Sequence, residues 1–119
     1  MSDKFAELDT EKTIIMGIIN LSEETFYSGS MAENAEEAAE RAKKMTENGA
    51  EIIDLGAMST GPGVKPISVR KEKEILLPVV KAVREKIKAP ISIDTQRAEV
   101  AEETLETGAD IINDVSGFK

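Results

Sequence analysis

The chain has 119 residues, the usual size of one domain, and its three Phe and one Tyr leave an aliphatic core as the natural expectation. Its formal net charge of −8 argues against a nucleic-acid backbone or an anionic membrane surface as a partner. Cysteine and histidine are both absent. Thiolate or imidazole metal sites, cysteine nucleophiles, Ser-His triads and disulfides are therefore excluded, and a reducing cytoplasm fits.

No apolar run approaches the roughly 20 residues of a membrane span. The polar amino terminus, MSDKFAELDTEK, does not look like a signal peptide. We therefore expect a cytoplasmic protein with no membrane partner.

The first apolar run is β-branched and predicts a buried strand over Thr13–Asn20. A long polar loop follows, NLSEETFYSGS, and then an alanine-rich amphipathic pattern predicts a helix over Ala35–Asn48. Asn34 is the expected N-cap, with Glu37 completing an approximate capping box. Gly49 is the expected helix stop.

A second strand is predicted over Glu51–Gly56, followed by a loop rich in Gly, Pro and Ser. Ser68 is placed to cap a long helix over Val69–Ile87, in which Pro78 removes one backbone hydrogen bond. The remaining predicted elements are a strand, a helix and a strand, over Pro90–Thr95, Arg97–Gly108 and Ala109–Val115.

The alternation of strands and helices predicts an α/β fold of parallel (β/α) units, with about four strands and three helices in one domain spanning 1–119. A closed (β/α)8 barrel needs eight strands and about 250 residues. The chain is therefore either a small open sheet or half of a TIM barrel. In both cases the sheet has open edges, and half of a barrel would leave its inner face uncovered and prone to self-association.

Polar residues stand at the carboxyl end of each predicted strand: Asn20, Asp54, Asp94 and Asn113. Parallel α/β proteins bind ligands at that edge. Carboxylates accept N–H bonds and amides both accept and donate, which suits a flat heterocycle with an amino-pyrimidinone edge. An anionic group on the same ligand would need a metal, a lysine or backbone N–H groups, which the loop Ser59–Gly63 can offer.

Three blocks, taken in order and spacing, resemble the amino-terminal half of dihydropteroate synthases: IMGIINLSEETFYSGS, GAEIIDLGAMSTGPGVKPIS and PISIDTQRAEVAEETLETGADIINDVSG. The resemblance implies half of a TIM barrel. It also implies a transferase of folate biosynthesis that joins a pterin methyl pyrophosphate to an arylamine and releases pyrophosphate, with Mg²⁺ as cofactor. It covers nearly the whole chain beyond the first dozen residues.

The resemblance also implies roles by position. Asn20 corresponds to a residue near the metal and the pyrophosphate, and Thr60 to a threonine that meets the pyrophosphate and the aminobenzoate, which makes it the catalytic candidate. Asp94 and Asn113 correspond to residues that hydrogen-bond the pterin ring, and Val115 to a residue that lines its pocket.

Two positions depart from the family pattern. Gly61 stands where the family usually has an arginine, and Ser28 where it usually has an aspartate. The implied pterin contacts are untouched, and the amine acceptor stays open between folate-type and methanopterin-type synthesis. A pterin-binding module, a methyl-tetrahydropterin-dependent methyltransferase-type domain and an inactive self-associating barrel fragment are alternatives. We expect the chain alone to have negligible synthase activity.

Overall fold

The computed structural model describes residues 14–22, 31–58 and 67–113, and in these residues strands and helices alternate. The elements are β1 (Met16–Ser22), α1 (Met31–Glu47), β2 (Ile52–Met58), α2 (Val69–Lys86), β3 (Ile91–Asp94), α3 (Ala98–Thr107) and β4 (Ile111–Asn113). The strands form one parallel sheet in the order β1-β2-β3-β4. The prediction of an α/β fold of parallel (β/α) units is confirmed. None of the helices within these ranges is long and apolar enough to cross a membrane.

The core lies between one face of the sheet and the helices. Alternate strand residues, among them Ile19, Leu55 and Ile93, are fully buried there. The helices contribute an alanine stripe from α1 and an aliphatic stripe from α2. The aliphatic core predicted from the composition is therefore the one observed, and it lies entirely on the helix side.

The opposite face of the sheet carries no helix among the described elements. Because side chains alternate along a strand, Met16 and Ile18 of β1 and Ile111 of β4 point to this face. They are 42%, 54% and 41% exposed. We call this surface the helix-free face, and it is the face that a complete barrel turns inward.

The predicted helix ends are mostly those observed. The Ser68 side chain accepts a hydrogen bond from Lys71 N at 3.0 Å and caps α2. Gly49 follows α1 with φ of +112°, and Ala50 N donates to Met45 O at 2.9 Å, as in a Schellman motif. Pro78 lies inside α2, which continues through it.

The predicted N-cap of α1 is wrong. The helix begins at Met31, so Asn34 lies in its first turn and is buried rather than capping. Met31, Ala32 and Glu33 all have high helix propensity, so the helix begins before Asn34 rather than at it.

Candidate functional site

The strand register brings one residue from each strand into a line near the carboxyl edge of the sheet. Asn20 is level with Gly56, Gly56 with Asp94, and Asp94 with Asn113. All four belong to the helix-free face, since residues paired across parallel strands point to the same side. We call Asn20, Gly56, Asp94 and Asn113 the rim row. Three of the four polar residues expected at this edge are therefore neighbours across the sheet.

The fourth, Asp54, does not lie at the end of its strand. β2 continues for four residues beyond it to Met58 and pairs with β1 along its whole length. Asp54 is therefore one layer below the rim row, level with Ile18 and Ser92. Gly56 takes the rim position on β2, because pairing with β1 outweighs the poor strand propensity of glycine.

Asp54 is a buried carboxyl group with a short hydrogen bond. It is 2% exposed and accepts a hydrogen bond from Ser92 Oγ at 2.6 Å. Burial raises the pKa of Asp54 to about 6, the Ser92 hydroxyl lowers it, and the neighbouring Asp94 raises it. Asp94 thus acts electrostatically on Asp54 from one layer away on the same face.

Asp94 offers an unused acceptor to a ligand. Its Oδ1 is buried and has no hydrogen-bond partner, the one such side-chain atom found in the described part of the chain. A buried acceptor without a donor is costly, so this oxygen is suited to an N–H group brought by a ligand. Its neighbour Gly56 makes room for it, since a Cβ at position 56 would lie 3.1 Å from Asp94 Cβ.

Another buried charged group lies near this edge, and it was not predicted from the sequence. Glu72 is 5% exposed although it is charged, and it contacts Thr95 and Arg97 just beyond β3. Its spacing is the available signal: position 72 falls on the same helical stripe as Ile75, Leu76 and Val79. A carboxylate on an apolar stripe predicts a buried polar contact.

The predicted site residues Thr60 and Val115, and the two departures from the family pattern at Ser28 and Gly61, lie outside the described residues. Their roles stay predictions. Within the described ranges, no three Asp, Glu, His or Cys side chains are grouped so as to hold a metal ion.

The sequence profile of a family described as pterin binding enzyme matches residues 16–119. The chain belongs to this family. A dihydropteroate synthase of Clostridium beijerinckii is 43% identical over 109 residues, which is 92% of this chain and 40% of that protein. One from Bacillus subtilis is 40% identical, over 92% of this chain and 38% of that protein. The chain thus spans about two fifths of the length of these curated relatives.

The structure of this chain also resembles solved structures of dihydropteroate synthases. The crystal structure of a Clostridium difficile dihydropteroate synthase, determined in the presence of pteroic acid, matches 92% of this chain with a TM-score of 0.80 and 41% identity. The match takes in 41% of that chain. A Burkholderia cenocepacia dihydropteroate synthase complexed with 7,8-dihydropteroate matches with a TM-score of 0.71 and 34% identity. The four-stranded parallel sheet and its helices therefore match part of the dihydropteroate synthase fold, and the prediction of a TIM half-barrel is confirmed over that of an unrelated small open sheet.

Proposed function

We propose that this chain forms the pterin-binding part of a dihydropteroate synthase, which joins a pterin methyl pyrophosphate to an arylamine and releases pyrophosphate. The observation that carries the proposal is the buried Oδ1 of Asp94, which has no donor of its own. Relatives crystallised with pteroic acid and with 7,8-dihydropteroate support it, because both compounds contain a pterin ring.

The rim row supplies both hydrogen-bond acceptors and hydrogen-bond donors to the pterin ring. Asp94 accepts from the amino and ring N–H groups of the pterin, while Asn113, its register partner, both donates and accepts. Asp54 lies one layer lower and keeps negative charge beneath Asp94 when it is ionised. Val115 lines the same pocket in this proposal, two residues beyond Asn113.

The pyrophosphate lies over the opposite part of the rim row in this proposal. Asn20 is exposed at the edge strand β1, where its amide oxygen is available to a cation. Mg²⁺ takes oxygen ligands and keeps several waters beside substrate phosphates, so Asn20 would supply one amide oxygen to an ion that is held mainly by the pyrophosphate. When bound, the ion neutralises charge on the leaving pyrophosphate. Thr60 would add a hydroxyl to the same leaving group.

In the proposed reaction, the chain binds and orients the pterin and transfers no proton to it. Pyrophosphate leaves with the electrons of its C–O bond, a pterin-methyl cation forms, the arylamine nitrogen attacks the cation, and that nitrogen then loses a proton to solvent. The carboxylates of Asp94 and Asp54 favour positive charge on the nearby ring, and hydrogen bonding by Asn113 fixes the ring plane. Groups on later strands complete the relatives' barrels, so we expect this chain alone to bind pterin with negligible turnover.

A pterin-binding module without synthase activity is the second candidate. Gly61 favours it, because an arginine at that position would supply a fixed fork of donors for an anion and glycine supplies none. The two candidates share the pterin site and differ in the arylamine and pyrophosphate steps.

Two further proposals concern the setting of the chain. Its exposed Met16, Ile18 and Ile111 support self-association through the helix-free face. A cytoplasmic location is supported by the absence of cysteine, because proteins of the reducing cytoplasm rarely depend on disulfides and this chain can form none.

Calorimetric titration of the chain with hydroxymethylpterin tests the proposed function. We expect saturable binding that Asp94→Asn weakens at least about tenfold, as for loss of a charged hydrogen-bond acceptor. Asp110→Asn is the matched control, since Asp110 lies before β4 at the amino edge of the sheet and should leave the affinity unchanged. Absence of binding at millimolar pterin would contradict the proposal for this chain. A turnover assay with aminobenzoate, on a chain with all eight strands, separates the synthase from the binding module.

A further inference from the structure

A partly buried charged network connects three segments beside the rim row. Glu72 Oε2 accepts from Thr95 Oγ1 at 2.7 Å, and Glu72 Oε1 pairs with Arg97 Nη1 at 2.9 Å. Arg97 Nη2 donates to Ile67 O at 2.7 Å. Both oxygens of one carboxylate and both terminal nitrogens of one guanidinium are therefore used.

The segments that meet in this network are those next to the proposed site. Thr95 directly follows Asp94, and its backbone N donates to Asn113 O at 3.4 Å. Ile67 precedes the N-cap Ser68 and closes the stretch of chain that contains Thr60. Glu72 belongs to the first turn of α2, so one helical side chain holds Thr95, which follows Asp94, and through Arg97 also Ile67.

Stability alone is a weak reason for such a network. Removing charges from water costs about as much as their attraction returns, and apolar residues of the same volume often serve a core as well or better. Glu72 is also flanked on its stripe by Ile75 and Leu76, where an aliphatic residue would pack. The network is distinguished by its geometry, because a carboxylate with a partner on each oxygen and a planar guanidinium with a partner on each terminal nitrogen fix direction as well as distance.

We infer that Glu72 and Arg97 are positioning residues that hold Asp94, through Thr95, in place for pterin binding. The inference rests on the proposed function. Neither residue touches the pterin, and both act through Thr95. Side chains that orient a binding residue typically change affinity by 10–100-fold when they are altered.

The test uses the whole 119-residue chain and conservative variants. Glu72→Gln keeps the shape and removes the charge, while Arg97→Lys keeps the charge and cannot reach both Glu72 and Ile67. We expect each variant to weaken hydroxymethylpterin binding about tenfold in calorimetry. Arg84→Lys is the matched control: Arg84 bridges Asp110 and three backbone oxygens, those of Gly108, Ile87 and Ala89, at the amino edge of the sheet. It should lower the melting temperature and leave the affinity unchanged.

A second readout needs no ligand. Asp94 raises the pKa of Asp54, so displacement of Asp94 should shift the Asp54 carboxyl titration, followed by NMR, toward lower pH in Glu72→Gln and Arg97→Lys. The titration should stay in place in Arg84→Lys. If both variants only lower the melting temperature, as Arg84→Lys does, with affinity and titration unchanged, the positioning role is overturned. If the unaltered chain binds no pterin, the proposed function fails, and the titration alone decides this inference.

Discussion

Asp54 makes the stability of the chain depend on pH. Its pKa rises from 3.8 to about 6 on folding, chiefly because the carboxyl is buried, so the folded protein keeps a proton that the unfolded chain releases. Stability therefore falls as pH rises from 3.8 to about 6 and is level on either side of that window. We expect Asp54→Asn to remove this fall and to raise the free energy of unfolding at pH 7 by about 1–3 kcal/mol. Urea unfolding at a series of pH values measures it.

The Ser92 hydroxyl supplies the control for Asp54, because its effect has the opposite sign. It donates to the carboxylate and lowers the pKa of Asp54, so Ser92→Ala should raise that pKa and extend the loss of stability to higher pH. An Asp54→Asn variant with the same pH slope as the parent chain would show that this carboxyl does not titrate in the expected window.

Gly56 leaves space beside Asp94 in the rim row because it has no side chain. A methyl group there would approach Asp94 Cβ to 3.1 Å, so we expect Gly56→Ala to displace Asp94 and to weaken pterin binding about tenfold. Gly17→Ala is the matched control on the helix side of the sheet. Its Cβ would lie 2.8 Å from Met45 Sδ and 3.0 Å from Ile53 Cδ1 in the core, so it should cost about 1–3 kcal/mol of stability without a change in affinity. Equal affinity in the two variants would contradict a role for Gly56 in the site.

At the scale of elements, α2 tolerates a proline in its interior. Pro78 has no N–H to donate to the carbonyl of Glu74, and a proline in mid-helix costs about 3 kcal/mol relative to alanine. Pro78 is only half-buried, so its packing offsets part of this cost. We expect Pro78→Ala to stabilise the chain by about 1–3 kcal/mol in urea unfolding. The exposed Lys81→Ala on the same helix should change stability by less than about 0.5 kcal/mol. A Pro78→Ala variant that is less stable than the parent chain would mean that packing of the proline ring outweighs the missing backbone hydrogen bond.

Helix and strand identities follow from periodicity, whereas their ends depend on neighbours. The predicted start of α2 at Val69 matches the structure, because the Ser68 cap is a local signal, and the predicted end differs by one residue. The end of β2 is set instead by pairing with β1, which carries the strand past Gly56 to Met58. That pairing decides which polar residues share the rim row. Asp94 and its neighbours could therefore be predicted from strand ends, and the lower position of Asp54 could not.

The position of Glu72 shows the same limit. Its helical stripe indicates burial, but its partners Thr95 and Arg97 are more than twenty residues away and meet it only when β3 lies beside β2 and α2 covers both. Contacts across elements need the register of the sheet, which periodicity within one element does not contain.

At the scale of the whole molecule, the helix-free face has two chemically different parts. Its carboxyl edge is the polar rim row, and its amino part carries Met16, Ile18 and Ile111. A complete barrel would bury this amino part in layers of aliphatic side chains. In the described residues these three side chains are exposed, and we expect a second copy of the chain to bury them.

Sedimentation of the chain tests that self-association. Burying a side chain such as Ile18 contributes about 1.5–3 kcal/mol, so Ile18→Lys should raise the dissociation constant of the dimer by at least about tenfold. Leu105→Lys is the matched control, because Leu105 of α3 is also exposed, at 45%, but points away from the helix-free face. Loss of association in Ile18→Lys with the same melting temperature as Leu105→Lys would assign the contact to the helix-free face. A parent chain that sediments as a monomer at high concentration would contradict it, and an effect of Leu105→Lys alone would move the interface to the helices.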